Sequence, residues 1–343
     1  MASSAVAKEF ELAPYDYGEA RRIAATLKLA EPIAVMLVRR GHRTVEDARE
    51  FLEAAEAHDP FEFDGMDRVC ELIGSVAAGG GRVTVHGDYD VDGVTSTAIL
   101  IGVLRELGAE CDWLIPDRQA DGYGLTMGTI DELRRRGTEL LITADCGIGS
   151  AAEVDAALAA GIQVVVTDHH EPPERLPDCP ILHPEVSSYP FRGLCAAGVA
   201  YKLATALRMK AEGGVPQAVL EAIDLDLVAL ATVADMVPLT GENRRLVREG
   251  LGRLRAAPRP GLQALMAVAR VDRETVNEGD LGFRLAPRIN AAGRLYRADG
   301  GVELMLTGDS ARAEAIAAEL DRANSERRAT EREVADAAGR AAL

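Results

Sequence analysis

Between residues 83 and 183, short apolar runs alternate with longer amphipathic ones. Val83–His86, Cys111–Pro116, Glu139–Thr143, Gln163–Thr167 and Pro180–His183 are too short for stable helices and read as strands. Thr95–Leu107, Ile130–Arg136 and Ala151–Ala160 lie between them at helical spacing. This alternation predicts an α/β fold, a parallel β-sheet flanked by helices. Upstream, the pattern is helical from Arg21 to Leu52: Ile33, Leu37 and Val38 share a face, Gly41 stops the helix, and Thr44 caps EDAREFL. Residues 1–20 read as a loosely ordered leader. HDPFEF (58–63) breaks the periodicity, and Met66–Ala78 is an amphipathic helix. After Pro190 the chain turns helical, with long apolar runs over Leu194–Lys210 and Ala218–Val237, then Arg244–Arg255 and Gly261–Arg270. From Ala311 a charged helix runs on with no stop signal. The expected division is an N-terminal helical segment (1–65), an α/β unit (66–309) and the start of a connecting helix (310–343).

Composition changes this picture in three respects. Aromatic residues are 4% against 48% hydrophobic, so the core must be built from Ala, Leu and Val. The formal charge of -17 argues against a nucleic-acid partner, unless a metal neutralises several carboxylates and the arginines cluster locally. Five cysteines with no CxxC pair fit a reducing compartment. The acidic first residues do not suit a signal peptide, and no apolar stretch reaches membrane length. A cytoplasmic location, with no membrane partner, is expected.

The chemistry gathers where predicted strands end. VTVHGDYDVDGVTSTA (83–98) puts His86, Asp88, Asp90 and Asp92 just past an apolar strand, with a turn at Gly93 into a helix. Asp145 follows the strand at 139–143, and Asp168, His169 and His170 follow the strand at 163–167. Ligands of parallel sheets bind beyond the carboxyl ends of the strands. Three separate segments thus bring carboxylates and imidazoles to one rim, including three of the six histidines. Acids this close repel one another unless a cation joins them. Asp235, in ALATVADMVPL, lies near a helix C-terminus in apolar surroundings, so an arginine or a metal should compensate it.

In His86-x3-Asp90-x-Asp92, Asp90 and Asp92 can face different ions, Asp145 can bridge them, and His169 and Asp235 can complete the set. Two divalent ions about 3.5–4 Å apart would activate a water and stabilise an in-line phosphoryl displacement. Mixed imidazole and carboxylate donors suit Mn2+ better than Mg2+. Asp168, beside His169, is placed to fix a ring tautomer; Asp88 does the same or faces solvent. His170 is left to touch the scissile phosphate or to protonate the leaving group. In GFRLAPRINAAGRL (282–295), Arg284, Arg288, Asn290 and Arg294 sit among small residues, suited either to phosphate oxygens or to acidic neighbours. The glycines at 79–81 precede a strand, the wrong side for a phosphate cradle, and read as a linker.

HGDYDVDG (86–93), TADCGI (143–148), TDHH (167–170) and TVADMVPL (232–239) resemble, in order, the four motifs of the DHH phosphoesterase superfamily. IPDRQADGYGL (115–125), LCAAGVAYKL (194–203) and PRINAAGR (287–294) extend the resemblance to its RecJ-type single-strand-specific 5′-to-3′ exonucleases, over most of residues 30–330. The resemblance implies one manganese on His86, Asp90 and Asp145, and another on Asp92, Asp145, His169 and Asp235. It places His170 at the phosphate and Arg118 and Arg294 near the substrate's 5′ end. It implies single-stranded DNA as substrate, a role in DNA repair and recombination, and a single-strand-binding protein and a helicase as partners. Such chains continue through a long helix into a DHHA1 domain with a GGH motif, usually followed by an OB-fold. No GGH occurs here, so a fragment or short form is expected, with the metal site kept and the grip on the strand reduced.

Two other readings compete. A DHH hydrolase of short oligonucleotides, cyclic dinucleotides or pyrophosphate shares the same ligands. A non-catalytic scaffold would have lost ligand positions, and all are filled here. A nicotinamide-binding Rossmann enzyme is excluded, because no GxGxxG follows the first strand.

Overall fold

Asp16 and Thr44 cap the first and third of three short N-terminal helices, α1 (Tyr17–Leu27), α2 (Glu31–Arg39) and α3 (Val45–Glu53). The computed structural model describes residues 14–117, 122–211, 217–256, 259–295 and 299–341, without the side chains of 217, 218, 292–295 and 341. Residues 1–13 of the expected leader therefore lie outside the described residues. Its last residues are helical, because the Asp16 carboxylate accepts the Glu19 N–H at 2.9 Å and starts α1 at Tyr17. Ala20, Ile23, Ala34, Leu37, Val38 and Ala48 bury together. Ile33, expected on that face, is 45% exposed; Ala34 turns inward in its place.

The chain divides into two compact units, Met1–Glu56 and Ala57–Leu343. The division falls ahead of residue 65 because the 58–64 segment is bonded into the second unit: Lys202 Nζ donates to the His58 carbonyl at 2.6 Å and Asp64 N–H to that of Ser187 at 2.9 Å.

In the second unit α4 (Met66–Ala78) leads into β1 (Arg82–Gly87), α5 (Val91–Glu106), β2 (Cys111–Leu114), α6 (Met127–Arg136), β3 (Thr138–Ala144), α7 (Ala151–Ala159), β4 (Gln163–Thr167) and β5 (Ile181–Leu182). The five strands form one sheet in the order β2-β1-β3-β4-β5, with every pairing parallel. The alternation in the sequence was legible because β3 and β4 are runs of Val, Ile or Leu buried on both faces and β1 is buried along most of its length, whereas CDWL of β2 is half-buried. The register carries the functional consequence. Gly87 pairs with Ala144, Ala144 with Thr167, and Thr167 with Leu182. These strands end in one row, so Asp88, Asp145, Asp168 and His183 leave the sheet side by side.

Helix α5 begins at Val91, earlier than the expected Thr95, because the Asp90 carboxylate accepts the Gly93 N–H at 3.1 Å. Asp92 thereby falls in the helix's first turn. The approach needs glycine twice. A Cβ on Gly87 would lie 2.0 Å from Thr97 Oγ1, and one on Gly93 2.5 Å from the Asp88 backbone. From Val91 to Leu104 α5 is buried nearly all round, between the sheet and a helical layer.

That layer comprises α8 (Ala196–Ala211), α9 (Gln217–Leu220), α10 (Leu225–Ala234), α11 (Gly241–Ala256), α12 (Pro260–Ala269), α13 (Glu278–Asp280), a π-helical turn at Leu281–Leu285, α14 (Ala286–Leu295), α15 (Asp299–Leu306) and α16 (Ser310–Ala341). The single helix expected over 218–237 is two. The break is at Asp224, whose left-handed backbone (φ 64°) is held by Arg208 and Arg259, each at 3.0 Å. Helix α10 then stops at Ala234 with Asp235 as its C-cap, three residues short of the expected end, because Met236 turns left-handed at φ 61°. Among the described residues no helix is long and apolar enough to cross a membrane.

Candidate metal centre

Past β3, Asp145 adopts a left-handed backbone (φ 66°), a conformation costly for most residues and tolerated by Asp. Its N–H bonds the Thr167 carbonyl at 3.2 Å, and its own carbonyl accepts the Tyr123 hydroxyl at 2.9 Å. The turn so fixed aims the buried carboxylate across the rim at β4.

There Asp168 is the hub. One oxygen accepts the Ile148 N–H at 3.0 Å; the other accepts the N–H groups of His169 (2.7 Å) and His170 (3.2 Å) and meets His170 Nδ1 at 2.8 Å. One carboxylate thus ties the loop after β3 to the loop after β4. Burial pushes its pKa up, but these hydrogen bonds, His170's first, outweigh burial and hold it below the ordinary carboxylate value. The same bond raises the His170 pKa. Asp168 therefore fixes the ring of His170, and His170, expected to be left free, is oriented on that side while its ring stays half-exposed. His183 holds the loop from below: its Nδ1 accepts N–H groups from Glu185 and Val186, leaving Nε2–H for the His170 carbonyl at 2.8 Å.

Asp92 is buried, and its two oxygens accept the N–H groups of Ala196 (2.7 Å) and Ala197 (2.8 Å), the first turn of α8. The helix N-terminus offers these donors without a side chain. Asp235 reaches the same point from the end of α10.

His169 Nε2 lies among all three: 3.3 Å from Asp145 Oδ1, 3.6 Å from Asp92 Oδ2 and 3.8 Å from Asp235 Oδ2. It is buried without a hydrogen-bond partner, as is Asp145 Oδ1. Among the described residues the positive partners near Asp235 are imidazoles rather than an arginine. Asp92, His169 and Asp235 form one potential cation site, and Asp88, Asp90 and Asp145 another; Asp145 also groups with His169 and His170. Donors about 2.0–2.2 Å from a shared ion lie roughly 3–3.5 Å apart, close to the separations here. Without a cation the charges do not balance. Burial, then repulsion from Asp92, Asp90, Asp88 and Asp168, pushes the Asp145 carboxyl well above the ordinary value. Burial also raises Asp92, and burial with the Asp92 charge lifts Asp235 to about 6. Orphaned buried donors and destabilised carboxylates together fit a pair of divalent cations.

The structure thus brings together Asp90, Asp92, Asp145, His169 and Asp235 as the sequence led us to expect. Asp88, expected in a supporting place, stands among the donors. His86 is fully buried, with Nε2 3.3 Å from the Gly124 carbonyl, and does not join these groups. Arg288 is ion-paired with Asp321 of α16 at 2.9 Å and bonds the Arg284 carbonyl; Arg284 pairs with Asp280. Asn290 Oδ1 accepts the Val91 N–H at 2.9 Å, holding the first turn of α5. Arg118 and the side chain of Arg294 lie outside the described residues. Tyr123, His183 and the two α8 amides were not foreseen. Only the tyrosine in ADGYGL carried a signal, an aromatic hydroxyl in a glycine turn.

The N-terminal domain model of the DHH family matches residues 82–232. A crystal structure of exonuclease RecJ bound to manganese superposes with a TM-score of 0.74 at 37% identity, covering 81% of this chain and 70% of that one. This chain belongs to the RecJ family. RecJ of Thermus thermophilus, in complex with Mn2+, matches with a TM-score of 0.80 at 34% identity, over 94% of this chain and 46% of that one. The single-stranded-DNA-specific exonuclease RecJ of Bacillus subtilis is 41% identical over 323 residues, 93% of this chain and 40% of that protein. The chain spans about half the length of the curated RecJ relatives it matches.

Proposed function

We propose that this chain carries the hydrolytic core of a metal-dependent 5′-to-3′ exonuclease on single-stranded DNA, acting in DNA repair and recombination in the cytoplasm. On this reading residues 66–309 are the catalytic domain, 1–65 a helical segment ahead of it, and 310–343 a helix leading away. A single-strand-binding protein and a helicase are the partners that fit such an activity. The carrying observation is His169 Nε2, orphaned among carboxylates of Asp92, Asp145 and Asp235, beside a second acidic group that shares Asp145.

Asp92, Asp145, His169 and Asp235 would hold one ion; Asp90 and Asp145, with Asp88 or His86, would hold the other. The mixed donors favour Mn2+ over Mg2+. Bound there, the ions supply an activated water and offset charge on the phosphoryl oxygens. The remaining work falls to the chain. Asp168 fixes His170 Nδ1, so the half-exposed ring presents Nε2 for a proton on the leaving oxygen or a charge at the phosphate. Tyr123 holds the Asp145 turn that aims the shared carboxylate. Arg118 and Arg294 would meet the 5′ end. Arg288 and Asn290 would reach substrate by giving up Asp321 and Val91, and we assign them first to holding the segment between α13 and α15.

The test is digestion of labelled single-stranded DNA with Mn2+, beside duplex DNA, a dinucleotide and a cyclic dinucleotide. Mononucleotides released from long single strands support the proposal. Cleavage confined to the dinucleotides favours a small-substrate hydrolase instead. Asp145→Asn, which tolerates the left-handed backbone, should lower the rate at least about a hundredfold; near-normal activity would overturn the shared-ligand assignment.

A further inference from the structure

The first turn of α11 carries two polar side chains that lie outside the donor groups and are fully buried, Glu242 and Asn243. The Glu242 carboxylate accepts Lys202 Nζ of α8 at 2.6 Å, the Tyr189 hydroxyl at 2.8 Å and the His58 N–H at 3.2 Å. These bonds anchor the turn to α8 without help from its neighbour.

Asn243 spans two other segments. Its Nδ2 donates to the Gly193 carbonyl at 2.5 Å and to the Pro238 carbonyl at 3.1 Å. Gly193 lies three residues ahead of Ala196, whose amide, with that of Ala197, holds the Asp92 carboxylate. Pro238 lies three residues after Asp235. One carboxamide therefore joins the approach to α8 with the exit from α10. The same two segments meet again where Cys195 Sγ lies 3.6 Å from Thr232 Oγ1. On these segments depend Asp92 Oδ2 and Asp235 Oδ2, 3.6 and 3.8 Å from His169 Nε2.

The choice of asparagine follows from the two carbonyls. A carboxamide nitrogen carries two N–H groups, so one planar group can serve both; serine supplies one donor and aspartate none. The other end of the side chain gains nothing from the site, because Oδ1 is buried and takes no hydrogen bond. That is a cost to folding. The side chain is held here by its donors alone.

We infer that Asn243 is a positioning residue of the metal centre: by tying Gly193 to Pro238 it sets the distance between Asp92 and Asp235, and with it the affinity of the cation site they share with His169. The inference rests on the metal-centre reading above. The group of Asp88, Asp90 and Asp145 comes from the loops after β1 and β3, which this tie does not touch.

The experiment titrates the full chain with Mn2+ by calorimetry, which reads two sites as two binding steps. Asn243→Asp keeps the shape and removes both donors; it should weaken one step about tenfold and leave the other unchanged. Asn243→Ser, with one hydroxyl for one carbonyl, should fall between. In an Asp235→Asn background the carboxylate being placed is gone, so Asn243→Asp should add at most about a twofold loss. Wild type gives a readout that needs no variant to fold: the Asn243 carboxamide protons should exchange slowly, and their NMR signals should shift when Mg2+ is added. Both steps unchanged in Asn243→Asp would overturn the positioning role and leave the metal centre intact. So would equal weakening of both steps, or losses that simply add to those of Asp235→Asn, since either marks a residue that only supports the fold. Carboxamide signals unmoved by Mg2+ would overturn it too. A wild type that binds no Mn2+ overturns the metal-centre reading as well.

Discussion

Asp145 belongs to two of the three donor groups at the rim, and its carboxylate is aimed by the backbone. The left-handed turn is held from two sides, by the Thr167 carbonyl and by the Tyr123 hydroxyl. Tyr123→Phe deletes one of those sides and leaves every donor in place. The hydroxyl also lies 3.1 Å from His170 Nδ1, so its loss should lower kcat roughly tenfold and cost about 1 kcal/mol of stability; paired rate and urea-melt measurements check it. Gly93→Ala acts by intrusion. A methyl group 2.5 Å from the Asp88 backbone must push that loop off the helix. We expect a loss of about 1–3 kcal/mol and weaker Mn2+ binding, measured by calorimetry, although no ligand has changed.

At the scale of elements, the site is a meeting of strand ends and helix ends. The strand half was legible in the sequence, because an apolar run and the acid or histidine that ends it are adjacent residues. Asp145 and the Asp168–His170 group needed no more than that. The helix half was not legible. Asp92 is held by amides 104 and 105 residues away, and backbone N–H groups leave no mark in a sequence. Asn290 looked like a phosphate ligand because its partner, the Val91 N–H, is 199 residues distant. The break at Asp224 was hidden likewise, because it depends on Arg208 of α8 and Arg259 at the N-cap of α12. Asn290→Ala should leave the first turn of α5 with a buried amide unpaired, costing about 1–3 kcal/mol and weakening Mn2+ binding. A variant equal to wild type in thermal melts and calorimetry would return Asn290 to the substrate-binding role first expected of it.

For the whole molecule, the raised carboxyls of Asp92, Asp145 and Asp235 tie stability to pH. Their folded pKa values exceed the unfolded ones, so the metal-free folded chain holds more protons than the unfolded chain above about pH 4. The neutral forms stabilise it fully at low pH, and that contribution is lost as pH rises through the folded values, about 6 for Asp235. In EDTA this cluster should therefore favour about pH 5 over about pH 7.5. Mn2+ should reverse the order, because it binds the deprotonated donors. Thermal melts at both pH values, with and without Mn2+, check the sign; a Mn2+ shift no larger at the higher pH than at the lower would contradict it. The aligned ends of β1, β3 and β4 carry a consequence for chain length. Each acid stands one residue past a shared row, so inserting or deleting one residue within any of these strands moves its acid by about 3.3 Å against the others. The glycine turns at the opposite edge, at Gly108, Gly137 and Gly161, lie ahead of the strands. Extra residues there leave the row untouched, and it is at those turns that a loop, a tag or a new chain terminus can be accommodated.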